Sequence, residues 1–186
     1  MRIIGGTFKG KKLFLPFDKY TRPLKDLVKE SIFNLIKHSH KISFDVKDSL
    51  ILDLFSGSGS FGIECLSREA KKVFFLENHL EAITVLEKNL KLLKNKKNHT
   101  IIKDDFFNFF NSDRKIDSKF HIIFIDPPYR ELKINDIIEK IIESNLLDKN
   151  GLIIIHRHKK DSIKLTAKIK VIEERTYGIS KIIFCN

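Results

Sequence analysis

Between residues 49 and 156 the chain alternates short, wholly apolar runs with longer segments that are apolar on one side only. An apolar run too short for a helix fits a strand buried on both faces, and an amphipathic helix between two such strands brings the chain back to run parallel. The pattern predicts an α/β fold, a mostly parallel sheet with strands near 50–54, 73–77, 100–103, 121–126 and 152–156 and helices over 60–67, 80–93 and 134–144. The tail departs from this rhythm. Residues 168–175 and 180–185 are β-prone runs joined by Tyr177-Gly178, a hairpin signal, so the sheet is expected to end in a hairpin.

The segment before the sheet has a different character. Residues 1–41 hold ten Lys or Arg against three acids, a net +7 of the whole chain's +11. Glycines at 5, 6 and 10 separate β-prone pieces at 2–4 and 11–15, which predicts a small β-ribbon, and Thr21-Arg22-Pro23 reads as the start of a helix. In that helix Leu24, Leu27, Val28, Ile32, Leu35 and Ile36 form the packed face, and Lys25, Asp26, Lys29, Glu30 and Lys37 the polar one. The reading is a basic ribbon and helix over 1–41 packed on a core of 42–186, with Arg2, Lys9, Lys11, Lys12 and Arg22 as a grip for nucleic acid.

At 186 residues the chain is the size of one domain, and its longest apolar runs are far too short to span a bilayer. A soluble cytoplasmic protein is expected. Cys65 and Cys185 lack metal-site spacing, so both are expected reduced and structural, with no metal in the protein.

Chemistry is concentrated at strand ends. The run Leu50 to Leu54 passes through Asp53 into Phe55-Ser56-Gly57-Ser58-Gly59-Ser60-Phe61-Gly62, a glycine-rich turn opening a helix. Its G-x-G-x-x-G spacing suits any adenosine cofactor, NAD included. Asp53 argues against a pyrophosphate and for the cationic amino-acid end of S-adenosylmethionine, and Glu77, ending the next strand, suits ribose hydroxyls. After the third strand Asp105 could accept from an adenine amine and Phe106 could pack on its ring, although Asp in that place also commonly caps a helix.

Asp126-Pro127-Pro128-Tyr129 directly follows the fourth strand, where ligands of such sheets bind. Two prolines stiffen the turn, so the Asp126 carboxylate and the Pro127 carbonyl become preplaced acceptors for the two N–H bonds of an aromatic amine. Those bonds favour a tetrahedral nitrogen whose lone pair is free to attack a methyl group, with Tyr129 flanking a base that has left its stack.

With these motifs in place, the sequence resembles the class I S-adenosylmethionine methyltransferases, and within them the RsmD family of bacterial small-subunit ribosomal RNA guanine-N2 methyltransferases. The resemblance extends from Met1-Arg2-Ile3-Ile4-Gly5-Gly6, through Thr21-Arg22-Pro23 and Leu66-Ser67-Arg68, to Tyr177-Gly178 and Ser180. It implies a Rossmann-like seven-stranded sheet with an antiparallel last strand. It places S-adenosylmethionine along Asp53, Phe55, Gly57, Gly59, Glu77, Asp105 and Phe106, and a flipped guanine of 16S ribosomal RNA at Asp126, Pro127 and Tyr129. A monomer acting on the small subunit or its assembly intermediate is expected. Adenine-N6 methylation of DNA or RNA, and a non-catalytic RNA-binding assembly factor, are the alternatives.

Four positions depart from the family pattern: Leu24 in place of a common Thr, Glu69 in place of a common Gly, and His156 and His158 where acids are frequent. Glu69 would be strained in a left-handed helix ending. The segment 156–160 reads as a polar strand end running into a loop, with RNA contact as the alternative.

Overall fold

The computed structural model describes residues 1–17, 24–42, 44–93, 98–112, 116, 118–128, 133–163, 165 and 168–186. Its elements run α1 (Asp26–His38), β1 (Leu50–Leu54), α2 (Ser60–Ser67), β2 (Lys72–Glu77), α3 (Leu80–Lys91), β3 (His99–Lys103), α4 (Phe106–Asn111), β4 (Phe120–Ile125), α5 (Ile134–Glu143), β5 (Leu147–His158), β6 (Val171–Tyr177) and β7 (Ser180–Cys185). The strands form one seven-stranded sheet in the order β3-β2-β1-β4-β5-β7-β6. β1 to β5 are parallel, and β7 enters antiparallel between β5 and β6. The strand order reverses beside β1, which has β2 on one side and β4 on the other, so a crevice opens past their carboxyl ends.

Strand parity sorts the core into two layers, because alternate residues face opposite sides of a sheet. Ile51, Val73, Phe75, Ile122, Phe124, Leu152 and Ile154 belong to one cluster with apolar residues of α1, α2 and α3. Leu52, Leu54, Ile123, Ile125, Ile153 and Ile155 belong to the other, with α4 and α5. Phe61 of α2 stacks on Phe124 at 4.0 Å between centroids, and Gly62 is where helix meets strand: a Cβ there would lie 2.3 Å from Phe75 Cε1. Cys65 and Cys185 are free and buried, and burial pushes the Cys185 thiol up to about 12.

The N-terminal ribbon is present as a tight antiparallel pair. Arg2 bridges Lys12, and Ile3 donates to the Lys11 carbonyl at 2.9 Å. It is seated on α2, where Ile4 N–H donates to Glu64 Oε2 at 2.8 Å, Thr7 N–H to the Ser67 carbonyl, and Phe8 N–H to Ser67 Oγ. Ile3, Leu13 and Leu24 join the same cluster as α1.

The first helix corrects the sequence reading. It begins at Asp26, with no side chain capping it, and Thr21, Arg22 and Pro23 lie outside the described residues. Leu24, Val28, Ile32 and Ile36 of the expected face are buried and Leu35 packs against them, but the face extends over Lys29 and Phe33 and not over Leu27. Val28, Lys29, Ile32, Phe33 and Ile36 are buried, whereas Leu27 is 67% exposed. The spacing 29, 32, 33, 36 is as helical as the expected one, and Phe33, stacked 5.4 Å from Phe61, decides the face. Lys29 is tolerated inside because its ammonium donates to the Arg2 carbonyl at 2.7 Å and Ser60 Oγ at 3.2 Å and lies 3.7 Å from Glu64 Oε2. Burial nonetheless lowers its pKa from the ordinary 10.5.

Candidate active site

The turn after β1 holds the chain in an unusual path. Phe55, Gly57 and Gly59 have φ of 58°, 53° and 81°, so three of five consecutive residues are left-handed. For Phe55 that conformation costs about 1–2 kcal/mol, a strain kept where the surrounding structure over-determines it. A Cβ on Gly59 would also fall 2.3 Å from Leu86 Cδ1 of α3.

Asp53, Glu77 and Asp126 all continue the parity of the α1–α3 face, through 51/53, 73/75/77 and 122/124/126. Asp53 is 1% exposed and accepts from Gly62 N–H at 2.9 Å. Glu77 accepts from Gly57 N–H at 2.7 Å with one oxygen and from the Asn78 and His79 amides with the other. Burial drives the Asp53 carboxyl well above its usual range; the Gly62 bond opposes this, and the charges of Asp126 and Glu77 add to it. Two acids thus act on a third, Asp53, across the crevice.

That arrangement decides between the adenosine cofactors the glycine spacing left open. In a pyrophosphate site the glycine-turn and helix N-terminal amides point at phosphate oxygens. Here the Gly57 and Gly62 amides already donate to Glu77 and Asp53. An acid-lined crevice repels a pyrophosphate and attracts a ligand with a sulfonium and an ammonium group.

At the adenine end Asp105 takes the capping place that the sequence also allowed, and Phe106 departs from the sequence reading. Asp105 caps α4, its Oδ1 accepting from Phe107 N–H at 2.9 Å and Asn108 N–H at 3.3 Å, while Asn78 Nδ2 donates to Oδ2. Phe106 is only 2% exposed. It lies near-parallel to Phe55 at 5.6 Å and to Phe110 at 4.5 Å, so it packs beneath the site rather than offering an open ring face.

Asp126 and Pro127 lie where expected, at the carboxyl end of β4; Tyr129 is outside the described residues. The neighbouring strand departs from expectation. His156 is 2% exposed and its Nδ1 is 2.8 Å from Asp126 Oδ1. Arg157 is 3% exposed, donates from Nη1 to the carbonyls of Pro128 at 2.9 Å and Pro127 at 3.4 Å, and pairs through Nε with Asp161 Oδ2 at 2.8 Å. The expected loop-bound polar strand end is instead an inner wall of the site. The signal was register: β5 pairs Ile125 with Ile155, so the next two residues of each strand meet.

On the ribbon, Arg2, Lys9 and Lys12 are exposed. Arg2 pairs with Asp26 at 3.8 Å, and Lys11 is partly engaged, donating to the Leu92 carbonyl at 2.8 Å and lying over the Phe8 ring. Arg22 lies outside the described residues. Among those residues no helix is long and apolar enough to cross a membrane.

Comparison with known proteins agrees with this geometry. Residues 1–186 match the family described as "Conserved hypothetical protein 95". The ribosomal RNA small subunit methyltransferase D of Haemophilus influenzae is 34% identical over 181 residues, covering 96% of this chain and 90% of its own. The protein of that name from Escherichia coli K12 is 34% identical over 151 residues, covering 81% and 68%. Among solved structures, yhhF of Escherichia coli superposes with a TM-score of 0.84 at 27% identity, covering 100% of this chain and 96% of that one. A more distant protein of the same fold, SMU.776, was solved with S-adenosylhomocysteine; it covers 84% of this chain with a TM-score of 0.63 at 17% identity. The chain belongs to the RsmD family, the ribosomal RNA small subunit methyltransferases D.

Proposed function

We propose that this protein transfers a methyl group from S-adenosylmethionine to the exocyclic N2 of a guanine in 16S ribosomal RNA, acting as a monomer in the cytoplasm on the small subunit or its assembly intermediate. The observation that carries the reading is the Asp126-Pro127 pair of acceptors at the switch point of the sheet, on a crevice lined by Asp53 and Glu77.

The residues fit the cofactor. Asp53 would face its ammonium group, Glu77 its ribose hydroxyls through lone pairs beyond those the backbone amides use, and Asp105 its adenine amine, with Phe55 over the packed Phe106. S-adenosylmethionine supplies an electrophilic methyl on a sulfonium. The protein's part is to hold the amine. Asp126 and the Pro127 carbonyl accept its two N–H bonds and turn its lone pair out of conjugation, and Tyr129 supports the flipped base. The ribbon over 1–41, with Arg2, Lys9, Lys11, Lys12 and Arg22, would grip the phosphates around it.

The test is transfer of labelled methyl to unmethylated small subunits, free small-subunit RNA and DNA in parallel, followed by nucleoside digestion. N2-methylguanosine from RNA is the expected product, and N6-methyladenosine would overturn the base assignment. Asp126→Ala is expected to bind S-adenosylhomocysteine and to lose turnover; strong residual activity would remove Asp126 from the reaction, and no transfer to any substrate would favour a binding role.

A further inference from the structure

We propose that His156 is a positioning residue for methyl transfer: by donating its Nδ1–H to Asp126 Oδ1, it fixes the plane of the carboxylate that receives the target amine. This rests on the function proposed above for Asp126, but it concerns a residue that neither the motif nor the resemblance assigns.

Register brings the two side chains together. In a parallel pair, opposite residues share a face, so Asp126 and His156 project together toward the α1–α3 side, and Pro127 and Arg157 toward the other. Two consecutive residues of β5 therefore serve three consecutive residues of the turn, one side chain to the Asp126 carboxylate and one to the Pro127 and Pro128 carbonyls.

The direction of the hydrogen bond follows from chemistry. An ionised carboxylate can only accept, so the shared proton belongs to the imidazole and lies on Nδ1. The tautomer of a neutral histidine is set by the bonds its two nitrogens make, and here Nδ1 is the nitrogen facing the acid. An Asp side chain beyond the end of a strand has two torsions to fix. Tied at 2.8 Å to a 2%-exposed ring, it loses that freedom before the base arrives. The ring is held in turn by its strand, where Ile182 of β7 is its register partner. Charged groups near the pair among the described residues include Asp53 of β1, on which both Asp126 and Glu77 of β2 act, Arg157 on β5 itself and Lys181, the partner of Arg157 on β7.

Loss of aim by a fraction of an ångström in such a site typically lowers turnover about ten- to a hundredfold. The decisive comparison uses two amides. In Asn the side-chain nitrogen occupies nearly the place of His Nδ1, and in Gln nearly that of Nε2. We expect His156→Asn to keep most of kcat, and His156→Gln and His156→Leu to lose about ten- to a hundredfold of it, with KM for S-adenosylmethionine unchanged in all three. Melting and S-adenosylhomocysteine binding of each variant establish that the fold and cofactor site persist. Activity of His156→Leu equal to wild type, or of His156→Gln above His156→Asn, overturns the proposal while Asp126→Ala remains inactive and the function stands.

A second measurement needs no turnover. In protein labelled with ¹⁵N-histidine, at mildly alkaline pH, the His156 ring should be the Nδ1–H tautomer and should move toward Nε2–H in Asp126→Ala. A wild-type ring already in the Nε2–H form, or one indifferent to Asp126→Ala, refutes the hydrogen bond whatever the enzyme methylates.

Discussion

Replacing Gly6 by Ala tests whether the basic ribbon is built onto α2 or merely lies near it. Gly6 has φ of +73°, and a Cβ placed on it would stand 1.9 Å from the Ser67 carbonyl oxygen and 2.3 Å from its carbon. Those are backbone atoms at the end of a buried helix, so they cannot swing aside as a side-chain tip would. Gly10 is the internal control, since its φ is +90° but a Cβ there would meet nothing within 4 Å. Both substitutions incur the left-handed cost of about 1–2 kcal/mol for an L-residue. Only Gly6→Ala adds the overlap, about 1–3 kcal/mol if the ribbon yields, together with weakening of the bonds from Thr7 and Phe8 to Ser67. For a chain of this size 1 kcal/mol moves Tm by roughly 2–4 °C. Thermal and urea melts should therefore place Gly10→Ala a few degrees below wild type and Gly6→Ala about twice as far down. Equal losses in the two variants would mean that the ribbon does not approach Ser67 as closely as described.

Three further outcomes follow from the same structure. Glu69, two residues past α2, has φ of +68°, and its pairing with Lys47 at 3.5 Å is solvent-exposed, so Glu69→Gly should raise stability by about 1 kcal/mol in a thermal melt; a loss would show that the exposed pair outweighs the strain. Lys9 and Lys12 are exposed on the ribbon, so Lys9→Ala/Lys12→Ala should lower RNA affinity and flatten its dependence on log salt by about 0.7 for each phosphate no longer neutralised; an unchanged slope removes them from the grip. Asp53 has a raised pKa, so the fold binds its proton more tightly than the unfolded chain does, and its contribution to stability, full below the ordinary 3.8, is lost as pH rises through the folded value. A cationic ligand favours the ionised form, so S-adenosylmethionine affinity measured by calorimetry should rise with pH across that window, and Asp53→Asn should flatten the rise. An Asp53→Asn profile as steep as wild type would assign the titration elsewhere.

What can be read from the residues alone depends on whether a single strand or helix carries the information. The apolar runs around Leu52, Phe75 and Ile123 are buried on both sides whatever their neighbours, so the strands, their parallel order and the closing hairpin are legible. So are the places of Asp53, Glu77 and Asp126, because each lies within one residue of a strand's carboxyl end. What is not legible depends on a second element. The face of α1 is easily misread because a lysine at position 29 looks like surface until Glu64, Ser60 and the Arg2 carbonyl are known to surround it. Phe106 looks like a ring face for adenine until Phe55 and Phe110 are found packed against it. His156 reads as a strand end meeting solvent; only the pairing of β5 with β4 turns it toward Asp126.

Buried polar groups tie the ribbon to the glycine-rich turn after β1. Lys29 bonds to the Arg2 carbonyl on the ribbon and to Ser60 at the start of α2, while Asn89, fully buried on α3, donates both to the Phe14 carbonyl beyond the ribbon and to the Ser58 carbonyl inside the glycine turn. Phe14 N–H returns a bond to Asn89 Oδ1 at 2.8 Å. The Ser58–Ser60 stretch is therefore bracketed by two side chains that also bond to the N-terminal segment. A buried polar group that loses a partner costs about 1–3 kcal/mol. Peeling the segment away would leave Lys29 and Asn89 short of partners at both ends of the turn. The two side chains that hold the turn proposed for the cofactor therefore keep their full set of partners only while the segment that would face the RNA is seated.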